Sequence, residues 1–154
     1  MQVKAVSAHG VVAVHAGIEE FDDVDNALGI VEFWNGKIAQ FYYSRTFFAG
    51  QEDGAEIIGT KGKVVVSGVQ NNMVQCYNST GASRDIPQFW FDRWEEAFVR
   101  EDNEFVDYCL GDTRSPISSM KLANAAKAVE IGLCLQEALV TRKRLEFDLE
   151  GNRI

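Results

Sequence analysis

The chain has 154 residues, a formal net charge of −8 and 46% hydrophobic residues, which is long enough for one buried core and too apolar for a disordered chain. The acidic balance works against non-specific nucleic-acid binding, which needs clustered Lys and Arg to displace counterions from phosphates. No apolar run approaches the roughly 20 residues of a membrane span, and no apolar stretch of a signal peptide opens the sequence, so no membrane association and a cytoplasmic location are expected.

Residues 3–9 alternate as a short strand. Residues 11–15 admit a second strand, and 19–25 read as an acidic loop. Residues 27–34 and 38–47 form the clearest hairpin. Between them Asn35-Gly36 is the dipeptide favoured by two-residue type I′ turns. On that register Phe33, Phe41 and Tyr43 share one sheet face, and Trp34, Tyr42 and Ser44 the other. Residues 56–59 and 64–67 form another hairpin, Asn71-Asn72 a turn, and 73–77 a further strand.

The period turns helical from Asp92 to Leu110, where Trp94, Ala97, Phe98, Phe105, Val106 and Cys109 make one stripe. Asp92 is the expected N-cap, with Glu95 completing a capping box, and Gly111 the expected stop. Ser118 or Ser119 caps a second helix running to about Val140, rich in Ala and able to approach its neighbours closely. Residues 145–149 alternate as a final edge strand. Strands followed by helices predict one α+β domain over residues 1–154: an open, largely antiparallel sheet with helices packed on one face.

Several chemistries are excluded by what the sequence lacks. Cys76, Cys109 and Cys134 are widely spaced, and with two histidines they offer no zinc pattern; each reads as a small core residue. The Asp22-Asp23-Val24-Asp25 cluster lacks the glycine and terminal glutamate of a calcium loop and reads as a solvated loop. Gly54 to Lys61 spaces two glycines like a P-loop, with Lys and Thr in the wrong order. Asn78-Ser79-Thr80 is a formal glycosylation sequon, a chance match without a secretory signal. No G-x-G-x-x-G opens a helix after a strand. His9 and His15 read as packed or surface residues, so no convincing general base is present.

Two segments in order carry a family resemblance. The hairpin Glu56-Ile57-Ile58-Gly59-Thr60-Lys61-Gly62 is followed by a helix bearing Arg93, Trp94, Ala97, Phe98, Glu101 and Phe105. Together they resemble the C-terminal domain of the Gfo/Idh/MocA family of NAD(P)-dependent sugar and inositol dehydrogenases, most of all the inositol 2-dehydrogenase branch. The resemblance implies a substrate-binding and oligomerisation domain, with a sugar or polyol substrate and a homodimer or larger homo-oligomer formed through the open sheet face. It implies NAD or NADP in the full-length enzyme, held by an N-terminal Rossmann domain not found in these residues. The family's catalytic Lys and its Asp-x-x-x-His pair are not found either.

The same resemblance places the strand end and loop from Tyr43 to Asp53 across the cleft from the nicotinamide. Arg45 and Gln51 then become donors to substrate hydroxyls, and Phe47 a cover for a ring face. Trp90 and Arg93 form a second candidate cluster. A cation in the first turn opposes the helix dipole, so Arg93 requires an acceptor, either a substrate or a local carboxylate such as Asp92. A catalytically silent ligand sensor and an independent dimeric binding module remain alternatives on this scaffold, because function resides in the site rather than the fold. With neither a dinucleotide fingerprint nor a base, the 154-residue chain is predicted to bind neither NAD nor NADP. Calorimetry with each cofactor at millimolar concentration checks this, and saturable heat would refute it.

Overall fold

Small and β-branched residues at every second position make β1 (Val3–Val11) the centre of a four-stranded antiparallel sheet. The computed structural model describes residues 2–66, 74–112, 114 and 121–154. It divides into two units, one of Met1–Thr46 with Met120–Ile154, the other Phe47–Ser119. Among the described residues no helix is long and apolar enough to cross a membrane.

In the first unit β1 pairs with β2 (Asn26–Phe33) on one side and with the two-residue edge strand β8 (Leu145–Glu146) on the other. β2 pairs in turn with β3 (Ile38–Ser44), so the strand order is β3-β2-β1-β8. The register puts Val31 between Val6 and Ala39, and Gly29 between Ala8 and Phe41. Helix α2 (Leu122–Thr141) packs on this face through Ile131, Cys134, Leu135, Ala138 and Leu139, the i, i+3, i+4, i+7, i+8 stripe of a core-facing helix. Val6, Val31 and Ala138 are wholly buried there, and each valine contributes roughly 1.5–3 kcal/mol by leaving water. The contact uses the second half of α2; Ala123, Ala125, Ala126 and Ala128, the residues expected to approach neighbours, are exposed.

Among the described residues, α2 packs on the core face and not on the opposite one. Val11, Leu28, Ile30, Ile38 and Tyr42 stand on it, from 44% exposed at Ile30 to 74% at Tyr42. Its buried spot is Ala5, set by the register between Glu32 and Glu146. The Arg144 guanidinium bonds to both glutamates and so passes over Ala5.

The β2–β3 hairpin forms as expected, but its turn is not a two-residue type I′. Gly36 alone takes a positive φ, 81°, and donates its N–H to the Phe33 carbonyl. Phe33 in turn donates to Lys37, which matches a turn followed by a left-handed glycine bulge. Trp34 therefore belongs to the turn, not to a strand face, and its indole N–H points to the Phe147 and Asp148 carbonyls at 3.2 Å each. The pair β1–β2 is longer than β2–β3.

The described residues of the second unit form two hairpins and a helix. β4 (Ala55–Gly59) and β5 (Gly62–Val66) join through Thr60-Lys61, as the sequence indicated. β6 (Gln75–Asn78) pairs with β7 (Gly81–Arg84), a strand without an apolar signature. The sequon is their turn, with Asn78 Oδ1 accepting from the Thr80 N–H at 2.9 Å. Helix α1 (Trp90–Cys109) starts at Phe89, not Asp92, and no side chain caps it; Asp92 lies in its first turn. Its end is as predicted. Gly111 donates to Tyr108 and Asp112 to Asp107, the paired bonds of a Schellman motif. α2 begins after Lys121, while Ser118, Ser119 and the Asn71-Asn72 turn lie outside the described residues. Cys76 and Cys109 are exposed, not core residues, and Cys134 is half-buried on the α2 stripe.

The acidic loop is also different from its reading. Residues 16–21 form a short 3-10 helix. Asp25 is fully buried, its carboxylate accepting N–H groups from Ala13, Val14 and His15 at 2.7–2.9 Å and from the Asn26 amide. Burial pushes this carboxyl up, but the four donors outweigh it and hold it well below the usual carboxylate range. Its contribution to stability is therefore complete above the ordinary aspartate value of 3.8 and is lost as pH falls below that value. Asp25→Asn should lower the thermal midpoint at neutral pH more than Asp22→Asn does. The gap between the two variants should narrow towards about pH 3, as scanning calorimetry across pH will show.

Candidate functional site

Loop 47–54 runs through the second unit with no regular structure and is fixed from several sides. Gly50 adopts φ 132°, and a Cβ there would collide with the Pro87 carbonyl, so a side chain is excluded twice over. Gln51 donates its backbone N–H to the same carbonyl at 2.6 Å. The Gln88 amide donates to the Ala49 carbonyl at 3.2 Å. Arg84 pairs with Glu52 at 3.4 Å. Pro87, which receives the loop, is fully buried.

Asp53 is the centre of this arrangement. Its Oδ2 accepts from Gln51 Nε2 at 2.9 Å and from the Trp94 indole N–H at 3.2 Å, and lies 3.8 Å from Arg93 Nε. Arg93 Nη2 also donates to the Asp53 backbone carbonyl. The Arg93 side chain is 0% exposed and its guanidinium lies 4.7 Å from the Trp94 ring centroid. Here is the acceptor that a first-turn arginine requires; it is Asp53 rather than Asp92. Among the described residues, Arg93 Nε and Nη1 find no hydrogen-bond partner.

The candidates therefore separate. Gln51 and Arg93 meet on one carboxylate. Trp90 stacks on Phe91 with centroids 3.9 Å apart and takes the edge of Phe98 at 5.4 Å, leaving it half-exposed. Phe47 is also half-exposed. Arg45 belongs to the first unit. It pairs with Asp23 at 3.2 Å and donates Nε to the Tyr43 hydroxyl. Asp23 and Tyr43 line a cleft of about 270 Å³ beside α2, whose other walls include Gly29, Phe41, Leu135 and Gln136. Asp53 carries no spacing pattern that would single it out, and the Asp22-Asp23-Val24-Asp25 cluster reads as a solvated loop because the backbone donors that bury Asp25 are common to every residue. Among the described residues no cluster of His, Cys, Asp or Glu is suited to a metal ion.

Residues 1–65 match the family model of the GFO/IDH/MocA C-terminal domain. Over 149 residues, 97% of the chain, it is 27% identical to scyllo-inositol 2-dehydrogenase (NAD(+)) of Bacillus subtilis, covering 43% of that protein. It is also 27% identical to myo-inositol 2-dehydrogenase of Thermotoga maritima, over 68% of the chain and 32% of the relative. The crystal structure of scyllo-inositol dehydrogenase from Lactobacillus casei, with bound NAD(H) and scyllo-inositol, superposes on 94% of the chain and 42% of its own length, with a TM-score of 0.83 at 22% identity. The chain thus spans less than half the length of the curated relatives it matches.

Arg93→Ala would leave Asp53 without its buried cation and is expected to cost about 2 kcal/mol. Arg45→Ala, at an exposed pair, should cost under about 1 kcal/mol. Urea titrations of both variants check the contrast.

Proposed function

We propose that this chain is the substrate-binding and assembly domain of an NAD(P)-dependent dehydrogenase acting on a CH–OH group of a polyol, a reading supported by the match of residues 1–65 to the model of the GFO/IDH/MocA C-terminal domain. The observation that carries this reading is the fixed loop 50–53, where backbone and side-chain bonds hold an amide and a guanidinium on one carboxylate. A polyol has many hydroxyls and few other features, so its orientation depends on fixed donors and acceptors. Half-exposed aromatic rings at Phe47 and Trp90 suit the C–H face of a cyclic polyol.

The chain's own residues do not fit a dinucleotide. α1 follows Phe89 and α2 follows Lys121, neither on a glycine-rich turn after a strand. The cofactor, NAD or NADP, would supply the hydride acceptor, and this chain's share of the reaction is to bind and orient the substrate. Inositols are the favoured substrate class because the dehydrogenases matched act on them by name.

Assembly is the second half of the reading. Val11, Leu28, Ile30, Ile38 and Tyr42 are exposed apolar residues of one sheet face, interleaved with Ser7, His9 and Gln40, and monomers rarely leave a large apolar patch in water. A two-fold pairing of this face with that of a second copy buries it symmetrically.

Saturation-transfer spectra of the chain with myo-inositol, scyllo-inositol and glycerol test the binding reading. Transfer to the ring polyols, lost in Gln51→Leu, is expected; none to any polyol would reject it. Sedimentation equilibrium at micromolar concentration tests the assembly. A mass at least twice the 17.2 kDa of one chain is expected, and a single-chain mass at every concentration would reject the sheet-face interface.

A further inference from the structure

We infer that Gln51 meets its ligand through its carbonyl oxygen, as a hydrogen-bond acceptor, and that Asp53, by holding one amide N–H, is the positioning residue that sets this orientation. The inference rests on the polyol reading above and specifies the polarity of one contact within it.

A glutamine amide offers two donors on nitrogen and an acceptor on oxygen, and rotating its last torsion exchanges them. Here the choice is removed. Asp53 Oδ2 faces the amide at 2.9 Å, and a carboxylate oxygen only accepts, so the atom facing it is nitrogen. The carboxylate is itself fixed. Trp94 donates to the same oxygen at 3.2 Å, and the Arg93 guanidinium approaches it at 3.8 Å while its Nη2 holds the Asp53 carbonyl. The Gln51 backbone is tied to Pro87 at 2.6 Å, so the side chain pivots about an anchored Cα. Gln51 Oε1 takes part in no hydrogen bond among those formed by the described residues of this loop. The ligand group that suits it is a donor, and in a polyol that is a hydroxyl O–H. The sequence reading had Gln51 as a donor; here one N–H is taken by Asp53, and the oxygen is the atom offered to a hydroxyl free to give its proton. At that oxygen an ether oxygen, a carbonyl oxygen or a fluorine is disfavoured, since none carries a proton to give.

The test has two parts, both on the 154-residue chain. In ¹⁵N side-chain amide spectra, the Gln51 signals are identified by their loss in Gln51→Glu. Two well-separated proton resonances with slowed exchange are expected, returning to random-coil positions in Asp53→Ala and persisting in Gln88→Ala. Random-coil Gln51 signals in the wild type would overturn the inference whatever the ligand. The second part is a myo-inositol titration followed by the same spectra. Gln51→Glu combined with Asp53→Asn, which keeps both the pairing and an acceptor, should bind within about three-fold of wild type. Gln51→Lys, a donor only, should weaken binding at least ten-fold. Equal weakening in both would overturn the acceptor role. A fixed amide with no saturable shift for any polyol would refute the polyol as the donor, and with it the proposed function, while leaving Asp53's control of the amide established.

Discussion

A sheet has two faces, and among the described residues of the first unit one α-helix, α2, packs on the core side. That constraint organises everything else in the unit. One face is closed by the α2 stripe from Ile131 to Leu139 over Val6, Val31 and Ala8. The other is left to Leu28, Ile30 and Tyr42, with Arg144 and its two glutamates closing over Ala5. Because side chains alternate with a period of two, slipping β2 by one residue would drive Glu32 into the core and Val31 into water. The register is thus set by burial, and the open face follows from it.

Where apolar packing is thin, fixed polar bonds take its place. In the second unit Pro87 and Arg93 are buried, while α1 and both hairpins are largely exposed. Loop 50–53 keeps its shape through a carbonyl, a carboxylate and a guanidinium. In the first unit Asp25 does the same for residues 13–15. Both carboxylates act on irregular backbone, where no ladder exists to satisfy N–H groups or to hold a side chain still. Among the described residues, Arg93 Nε and Nη1 are buried side-chain nitrogens where this satisfaction is incomplete.

The legible parts of the fold were those with local chemistry. Asn35-Gly36 and Thr60-Lys61 announced their hairpins, and Gly111 its helix end, because positive-φ glycines and β-branched runs act within a few residues. The helix starts were misread for the same reason. Phe89 and Lys121 cap α1 and α2 without any side-chain bond, so a rule that seeks Ser, Thr or Asp passes over them and settles on Asp92. β7, with the sequence Gly-Ala-Ser-Arg, has no alternation to read. At the site, Arg93's place against its helix dipole pointed to a partner, and the partner exists. That it is Asp53, some forty residues back, depends on long-range folding, as does the burial of Asp25 on donors that every residue possesses.

The connectivity of β1 has a consequence for how the chain forms. Its partners lie far apart in sequence: β2 follows closely, but Ala5 and Val6 must wait for Glu146 and Leu145. Phe47–Ser119 is inserted between the two parts of the first unit. During synthesis, therefore, the β1-β2-β3 meander and the inserted unit both emerge while the α2 face of the sheet is still bare, and only the last residues close the core. Loop-closure entropy makes this late, non-local pairing the slow step. Until that pairing the face of Val6 and Val31 stays open to solvent, the interval in which an unfinished chain is most prone to associate wrongly.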